Sequence, residues 1–296
     1  MAIELSKQYV PLLDEVFKKA SLTQDLNANE SLIRQGANVN EILVPKLSMD
    51  GLGDYSRNSG YTKGDVSLTY ETRKFNYDRG RKFEVDTMDN QETEEVAFGM
   101  LAAEFLRTKV APEADAFTFA TLAGKSGISK VSAGATLADG SAVMSALKVA
   151  LDEMDEDEVP EEGRLLYITP GNLSAVKAMD TTKSRELLES FSKIIKVPQS
   201  RFYTAIDLYD GVTDNSDSEG ANEKIGGYVK ASTGKDINFM VIHPTAVLKS
   251  DKHVASNIIT PEENQTSDAW MQKYRKYGIV DAFDNKLAGI YLHHKA

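Results

Sequence analysis

The residues that could perform chemistry in this chain do not complete a nucleotide-binding motif. A phosphate-binding loop needs glycines followed by Lys and then Ser or Thr, whereas Ser141 follows the stretch 134–140 at the place of that Lys. Gly51 and Gly53 begin a dinucleotide-binding pattern, but Ser56 stands at its third glycine position and no helix is predicted to follow. The sequence therefore predicts no nucleotide cofactor.

Candidate metal ligands are also incomplete. Residues 215–220 imitate the start of a calcium-binding EF-hand loop, but the twelfth position is Gly226, which has no side-chain ligand. A weak cation site in this loop stays open as an alternative. His293 and His294 are adjacent and would face opposite sides of a strand, and His243 and His253 are isolated. We expect these histidines to be structural and no metal cofactor to be bound.

Composition narrows the classes of protein further. The 296 residues contain no Cys, which excludes disulfides, thiolate metal sites and a Cys nucleophile. The Ser, Thr, Lys and carboxylate nucleophiles lie in no recognisable activating motif, so an enzyme is not expected. The net charge of −11 gives no overall basic excess with which to grip nucleic acid. No apolar run is long enough to span a bilayer, so no membrane partner is expected.

An extended arm is the most informative element. Residues 48–64 contain four glycines together with Tyr55 and Tyr61, after a short predicted strand at 41–47. Alternating apolar residues then predict a ribbon of strand over 66–86, with a turn at 76–81. Long loops in compact domains usually have a task, although a mobile surface loop is the alternative. The composition favours an arm that contacts another molecule, because exposed Tyr supplies contact area at low entropy cost.

A long helix is predicted after the ribbon. Asp89 can cap it, with Glu92 three residues later completing a capping box. Apolar residues from Phe98 to Phe105 mark one face, and Pro112 predicts a kink near 110–112 before the helix ends at about Ala123. An ordinary buried helix would show the same pattern.

The remaining segments indicate a mixed α/β region. A helix is predicted at 141–154, and strands at 164–169 and 238–243 each precede a proline and a helix. The acidic run 152–162 and the loop 211–227 are predicted to be solvated. Residues 279–293 predict a closing strand pair around a turn at 284–286. Apolar residues at helical spacing within residues 1–36 predict an N-terminal arm.

The order of these parts resembles the HK97-like major capsid proteins of tailed phages over essentially the whole chain. The stretches that most resemble this family are residues 75–86, which continue into 92–123, and three short motifs. These motifs are Ile242-His243-Pro244-Thr245-Ala246, Thr260-Pro261-Glu262 and Tyr274-Arg275-Lys276-Tyr277-Gly278. The resemblance implies an α+β fold. Its parts would be an N-terminal arm (1–40), an extended E-loop and ribbon (41–86), a peripheral domain with a spine helix (87–131), an axial domain (132–240), and a return to the peripheral domain with closing strands (241–296).

The resemblance implies a self-assembling shell subunit. Hexamers and pentamers of the chain would build the icosahedral head of a virion, assembled in the host cytoplasm around double-stranded DNA that is not bound sequence-specifically. Portal and decoration proteins are further expected partners. Because the E-loop begins close to the start of this sequence, the scaffold would be a separate protein or absent. An acidic wall is compatible with DNA that must move in and out.

Six residues are predicted to contact neighbouring subunits, at the E-loop and the ribbon base: Tyr55, Tyr61, Lys63, Arg73, Arg79 and Arg81. The arginines would pair with acidic residues such as those at 152–162, unless they form only a solvated strand face. Some relatives join an E-loop Lys to an Asn by an isopeptide bond beside a carboxylate. Lys63, Asn264 and Glu263 have the residue types for that reaction.

Two alternatives stay open. An encapsulin-like nanocompartment would share the fold but enclose protein cargo. An α/β hydrolase or sugar-binding protein would instead be a monomer or small oligomer with a deep polar pocket.

Overall fold

The fold mixes helices with four β-sheets across the described residues, which are 21–27, 34–35, 40–92, 101–130, 134–214 and 223–296 of this computed structural model. The strands are β1 (Arg34–Gln35), β2 (Glu41–Met49), β3 (Val66–Lys74), β4 (Tyr77–Asp86), β5 (Ser129–Lys130), β6 (Leu165–Ile168), β7 (Lys193–Lys196), β8 (Ile206–Leu208), β9 (Tyr228–Lys230), β10 (Ile237–Ile242), β11 (Val247–Ile259), β12 (Ala269–Ala282) and β13 (Ile290–His294). The α-helices are α1 (Thr87–Glu92), α2 (Leu101–Phe105), α3 (Ala111–Ala123), α4 (Gly140–Glu156), α5 (Pro170–Ala178) and α6 (Thr182–Glu189).

The main core surrounds a five-stranded sheet of order β5-β13-β10-β6-β7. Its central strand β10 is apolar at five of its six residues and buried along its whole length, as expected for a strand covered on both faces. Met240 packs with Phe119 of α3 on one face. Phe239 packs with Leu147 of α4 on the other. This sheet and its helices confirm the predicted mixed α/β region.

A second sheet, called here the long sheet, has the order β11-β12-β4. The predicted turn at 76–81 is wrong, because β4 begins at Tyr77 and runs through that stretch to Asp86. Gly80 lies within β4, where an added Cβ would come 2.8 Å from the carbonyl oxygen of Tyr274. The glycine therefore marks a close approach of two strands rather than a turn. The 14-residue strand β12 was not predicted as one element.

The long helix consists of α2, a π-helical turn at Leu106–Val110 and α3. The expected kink is a π-turn in which the Ala111 amide donates to the carbonyl of Leu106. The missing amide of Pro112 is tolerated there, because the wider turn changes the local bonding pattern. The helix ends at Ala123 as predicted.

The predicted cap at Asp89 is wrong. Helix α1 already begins at Thr87, and the carboxylate of Asp86 accepts from the Met88 amide at 2.9 Å. An acidic residue three positions earlier thus provides the capping acceptor, and Asp89 lies in the first turn. Phe98 of the predicted apolar face lies outside the described residues, as does the helical pattern expected before residue 21.

The predicted closing strand pair is also wrong. β12 pairs with β11 and β4 in the long sheet, whereas β13 pairs with β10 and β5 in the five-stranded sheet. A 3₁₀ helix at Asp284–Gly289 connects them, so the expected turn begins a crossing between sheets. β13 is buried on both faces, which fits the five-stranded sheet and not an exposed hairpin.

Several elements were not predicted from the sequence, among them β5, β8 and β9. Helix α6 and strand β7 follow α5 and were not predicted. None of the helices in the described ranges is long and apolar enough to cross a membrane.

Candidate assembly surface

A two-stranded projection consists of β2, β3 and the connecting residues 50–65, and the name ribbon is used for it from here on. The ribbon predicted over 66–86 is wrong in its pairing, because β3 pairs with β2 whereas β4 pairs with β12 of the long sheet. The strands β2 and β3 pair antiparallel from Glu41↔Lys74 to Met49↔Val66. Directly opposed residues share a face, so the pairs Leu47↔Leu68 and Met49↔Val66 lie side by side. The pair Pro45↔Tyr70 continues the same row. One side of the outer ribbon, the apolar face, is therefore built from six residues: Pro45, Leu47, Met49, Val66, Leu68 and Tyr70.

The apolar face is exposed. Leu47 is 50% accessible, Leu68 54% and Met49 62%. The opposite side of the outer ribbon carries the polar pairs Lys46↔Thr69 and Ser48↔Ser67. A contiguous exposed apolar row backed by a polar row is typical of a surface that binds a partner.

The ribbon tip is locally ordered. The amides of Ser56 and Gly60 each donate to the other residue's carbonyl, at 3.1 and 2.7 Å, and Gly60 provides the positive φ of +79° that the turn needs. The rings of Tyr55 and Tyr61 pack edge to face with centroids 4.9 Å apart. Both tyrosines remain exposed beside the fully exposed Leu52. Lys63 is also exposed, so the predicted tip residues are accessible to another molecule.

The ribbon base is attached to the rest of the chain by packing and by charge. Ile42 and Val44, on the side opposite the apolar face, are buried against Leu248 and Ile279. Arg73 donates to Asp281 at 3.1 Å, and also contacts other carboxylates at the same place. The ribbon is therefore anchored at one end and uncovered at the other.

Arg79 is engaged within its own chain. Its Nε donates to Glu113 of α3 at 2.7 Å, and the Tyr77 hydroxyl donates to the same carboxylate at 3.2 Å. Burial, together with the neighbouring charge of Glu113, raises the pKa of Tyr77. This cluster joins strand β4 to the long helix.

Arg81 of the long sheet contacts backbone carbonyls in the segment between β8 and β9. Its guanidinium donates to the carbonyls of Gly211 at 3.4 Å and Lys224 at 3.2 Å. Arg79 donates to the carbonyl of Gly227 at 3.3 Å. In the subunit these arginines hold the segment that follows β8. Their contact with the acidic run 152–162 of a neighbour stays a prediction.

Asn264, one of the residues predicted for an isopeptide bond, is hydrogen-bonded within its own chain. The side-chain amide of Asn264 donates to the Ala269 carbonyl at 3.0 Å, and its oxygen accepts from the Thr266 hydroxyl at 2.8 Å. Attack by Lys63 of another copy at the side-chain carbonyl would release the Asn264 nitrogen as ammonia, and the bond to Ala269 would be lost with it. The isopeptide bond stays a prediction.

A cavity of about 1020 Å³ lies between β4, the long helix and the segment around β8 and β9. Its walls include Phe83, Phe105, Pro112 and Val229, with Arg79 and Glu113 at one side. No His is found among the described residues that line it. Apolar and charged side chains both line this cavity, and the described residues of its wall include Ser200 without a His beside it.

His243 and His293 both make contacts within the fold. His243 contacts the Thr245 hydroxyl at 2.8 Å and the Glu162 carbonyl at 3.0 Å. His293 is buried, stacks on Phe239 and contacts the Asn238 amide at 3.0 Å. The described part of the chain contains no group of three or more potential metal ligands. The EF-hand-like positions 215–220 lie outside it.

Sequence reasoning missed two features of this surface. It ended strand β2 at Leu47 and so overlooked the row Pro45, Leu47 and Met49, although the two-residue period continues to Met49. It also overlooked Glu113 and Asp115, two carboxylates in a helical stretch that is mostly apolar. A charged residue there is expected to be buried only if it is paired.

Comparison with known proteins finds matches by structure and none by sequence. No family model matches the chain, and no curated protein matches it in sequence. A structure from Mycobacterium phage Che8 matches with a TM-score of 0.57 at 13% identity, covering 99% of this chain and 97% of that one. The capsid of cyanophage P-SCSP1u matches with a TM-score of 0.60 at 13% identity, covering 98% and 92%. A virus-like particle from Pyrococcus furiosus matches with a TM-score of 0.53 at 10% identity, covering 92% and 95%.

The likeness extends over nearly the full length of both chains in each case. Solved structures of tailed-phage capsids recur among the matches, including the mature capsid of bacteriophage PhiM1. The chain therefore has the α+β fold of the HK97-like capsid proteins. The predicted fold is confirmed.

Proposed function

We propose that this chain, which has the HK97-like capsid fold, is the structural subunit of a tailed-phage head. Copies of it would form hexamers and pentamers and close into an icosahedral shell around double-stranded DNA. Its role would be to assemble and not to catalyse a reaction. The proposed location is the virion, after assembly in the host cytoplasm.

The observation that carries this proposal is the uncovered apolar face of the ribbon. Burying apolar surface stabilises by about 25 cal/mol per Å² removed from water, so six exposed apolar residues favour association. A second copy is the proposed partner, because a projection anchored only at its base can reach a neighbouring subunit. Many repeated contacts of this kind would stabilise a shell even if each is weak.

The proposed division of the chain follows the predicted one. Residues 132–240 would close the rings together with β13, which lies in the same five-stranded sheet, and residues 87–131 with 241–289 would join ring to ring. Tyr55, Tyr61 and Lys63 at the ribbon tip would meet the neighbour, and Arg73 would position the ribbon base. Arg79 and Arg81, on β4, would instead hold the long helix and the segment after β8 in place. The net charge of −11 would keep the inner wall from binding DNA tightly. Scaffold, portal and decoration proteins are proposed further partners.

An encapsulin-like compartment is the second candidate. The likeness to the Pyrococcus furiosus virus-like particle supports it. Terminase and portal genes beside the coding gene would favour the phage head, whereas a cargo enzyme gene would favour the compartment.

Negative-stain electron microscopy with light scattering tests the proposal directly. Purified wild-type protein is expected to form closed shells, tubes or large rings. The double variant Leu47→Ser with Leu68→Ser removes one cross-strand pair from the apolar face and should leave small, soluble species.

The matched control changes the adjacent pair on the opposite side, Ser48→Ala with Ser67→Ala. It should assemble as the wild type does. If the leucine variant also assembles normally, the apolar face is not the contact surface. If the wild type stays small at high concentration and with its neighbouring genes co-expressed, the shell proposal fails.

A further inference from the structure

The outer half of strand β11, residues 253–259 and called here the outer edge, is an uncovered edge of the long sheet. β11 lies at the end of that sheet, and among the described residues only β12 pairs with it. The register between the two strands shifts between Asp251 and His253 and is then continuous to Ile259. An edge strand presents a row of unpaired backbone amides and carbonyls, which is a template for another strand.

The outer edge lacks the usual protection against such pairing. It contains no Pro and no Asp, Glu, Lys or Arg. Strand β4, at the opposite edge of the same sheet, carries six such charges between Tyr77 and Asp86. Native proteins place charges or Pro on edges that must stay unpaired. The difference between the two edges therefore marks the outer edge as a surface for pairing.

Two exposed apolar residues indicate the partner. Val254 is 54% accessible and Ile258 is 53% accessible. Both lie on the same face of β11 as Ser256, because residues two apart in a strand share a face. Val254 stands two positions before Ser256 and Ile258 two positions after it, so the pattern is symmetric about Ser256. An antiparallel second copy of β11 centred there would place Val254 of each copy opposite Ile258 of the other.

We propose that two copies of this chain pair through the outer edge, antiparallel and related by a two-fold axis at Ser256. The contact would join two three-stranded long sheets into one sheet of six strands. It would add backbone hydrogen bonds between the copies and two apolar cross-strand pairs. The nearest charged residue, Lys252, would lie opposite Thr260, so no like charges oppose each other. The surface is therefore complementary to itself, as a two-fold contact requires.

This contact does not involve the ribbon. Its place in a shell rests on the proposed function, in which it would link subunits of adjoining rings in pairs. The pairing itself can be tested in the double variant Leu47→Ser with Leu68→Ser, which lacks one pair of the apolar face. A covalent dimer is visible on a denaturing gel whether or not shells form, so a failure of the pairing is distinguished from a failure of the shell.

Ser256→Cys, added to that double variant, is the first test. The chain has no Cys of its own. Directly opposed residues of antiparallel strands have Cβ atoms about 4.5–5.5 Å apart, which brings two thiols within reach of each other. Mild oxidation should convert most of the protein into a dimer on a non-reducing gel.

The matched control for the cross-link is Asn257→Cys, at the next position of the strand and also exposed. In the proposed register Asn257 lies opposite Ala255, so the two new thiols would be two residues apart along the strands. This variant should stay monomeric under the same oxidation.

Reversal of charge at the same position is the second test. Ser256→Lys and Ser256→Glu would each place like charges opposite each other and should weaken the dimer in sedimentation velocity. A one-to-one mixture would pair Lys with Glu. The mixed dimer should form about 5- to 30-fold more tightly than either variant alone, the range that one cross-strand charge pair spans.

Both results together support the proposal, and failure of either overturns it. Equal cross-linking of Ser256→Cys and Asn257→Cys would reflect random collision and overturns it. No cross-link and no recovery in the mixture are expected if the outer edge pairs with a different strand, such as β3 of another copy, or with nothing. That outcome also overturns the proposal, because residue 256 would then never meet its own copy.

Discussion

Strands β10 and β3 both carry a row of apolar residues, yet the two rows lie in opposite environments. All six residues of β10 are buried between helices of the same chain. Val66, Leu68 and Tyr70 of β3 are exposed, and the described chain supplies nothing to cover them. The difference teaches that this chain completes its core at the five-stranded sheet and leaves the apolar face of the ribbon in solvent, where the proposed association would cover it.

The physical reason lies in what surrounds each strand. β10 is flanked by two neighbouring strands and by helices on both faces, so its apolar side chains contribute to folding. The outer ribbon has two strands and no covering layer, and such a pair is marginally stable alone. Anchoring at its base by Ile42 and Val44 supplies the stability that its outer half lacks.

The largest loss of stability is expected when a large side chain in the core is truncated. Phe239→Ala in β10 removes a fully buried ring that stacks near Tyr291 and His293. The free energy of unfolding should fall by ~3–5 kcal/mol, as is typical for truncating a buried Phe. Urea denaturation followed by circular dichroism measures it. A loss below ~1 kcal/mol would contradict the contrast between the two strands.

A smaller effect on the free energy of unfolding is expected from Lys249, a charged residue that is buried. Burial, reinforced by the charge of Lys276, lowers the pKa of Lys249 to about 8, from 10.5 for an ordinary lysine, although Asp115 and Asp251 act in the opposite direction. Between these two values the unfolded chain binds more protons than the folded one, so stability should rise with pH. The rise from pH 8 to pH 9.5 should be on the order of 2 kcal/mol.

Lys249→Met separates this effect from other titrating groups. Burial raises the pKa of Tyr291 to about 12, and such tyrosines reduce stability only at higher pH. The variant should show a flat profile between pH 8 and pH 9.5, measured by urea denaturation in matched buffers. A wild-type curve that is equally flat would mean that Lys249 is not desolvated in solution.

Sequence patterns could predict strands β6 and β10 of the five-stranded sheet and the strand character of β2 and β3, because these depend on local periodicity. β10 is a nearly continuous apolar run, which is typical of a strand covered on both sides. The end of the long helix at Ala123 was predictable from the small, Gly-containing stretch after it. These features are encoded within a few residues of each other.

Long-range features could not be predicted from one sequence. The Gly80 signal is the same for a turn and for a close approach to β12, and only the register of the long sheet distinguishes them. The partners of Asp115 are 86 to 94 residues away along the chain. The placement of β13 beside β10, rather than beside β12, likewise depends on tertiary packing.

The smallest change in the free energy of unfolding is expected for a substitution on the apolar face of the ribbon. This substitution also tests the contrast between β10 and β3 most directly. Leu68→Ala on the apolar face should change the free energy of unfolding by less than ~0.5 kcal/mol, because the side chain is already in water. Ile42→Ala at the buried base should cost ~2–4 kcal/mol by leaving a cavity against Leu248 and Ile279. Urea denaturation of both variants at low protein concentration keeps association out of the measurement. A clear loss for Leu68→Ala would mean that the apolar face is covered within the single subunit, and the ribbon would then have no surface to offer a neighbour.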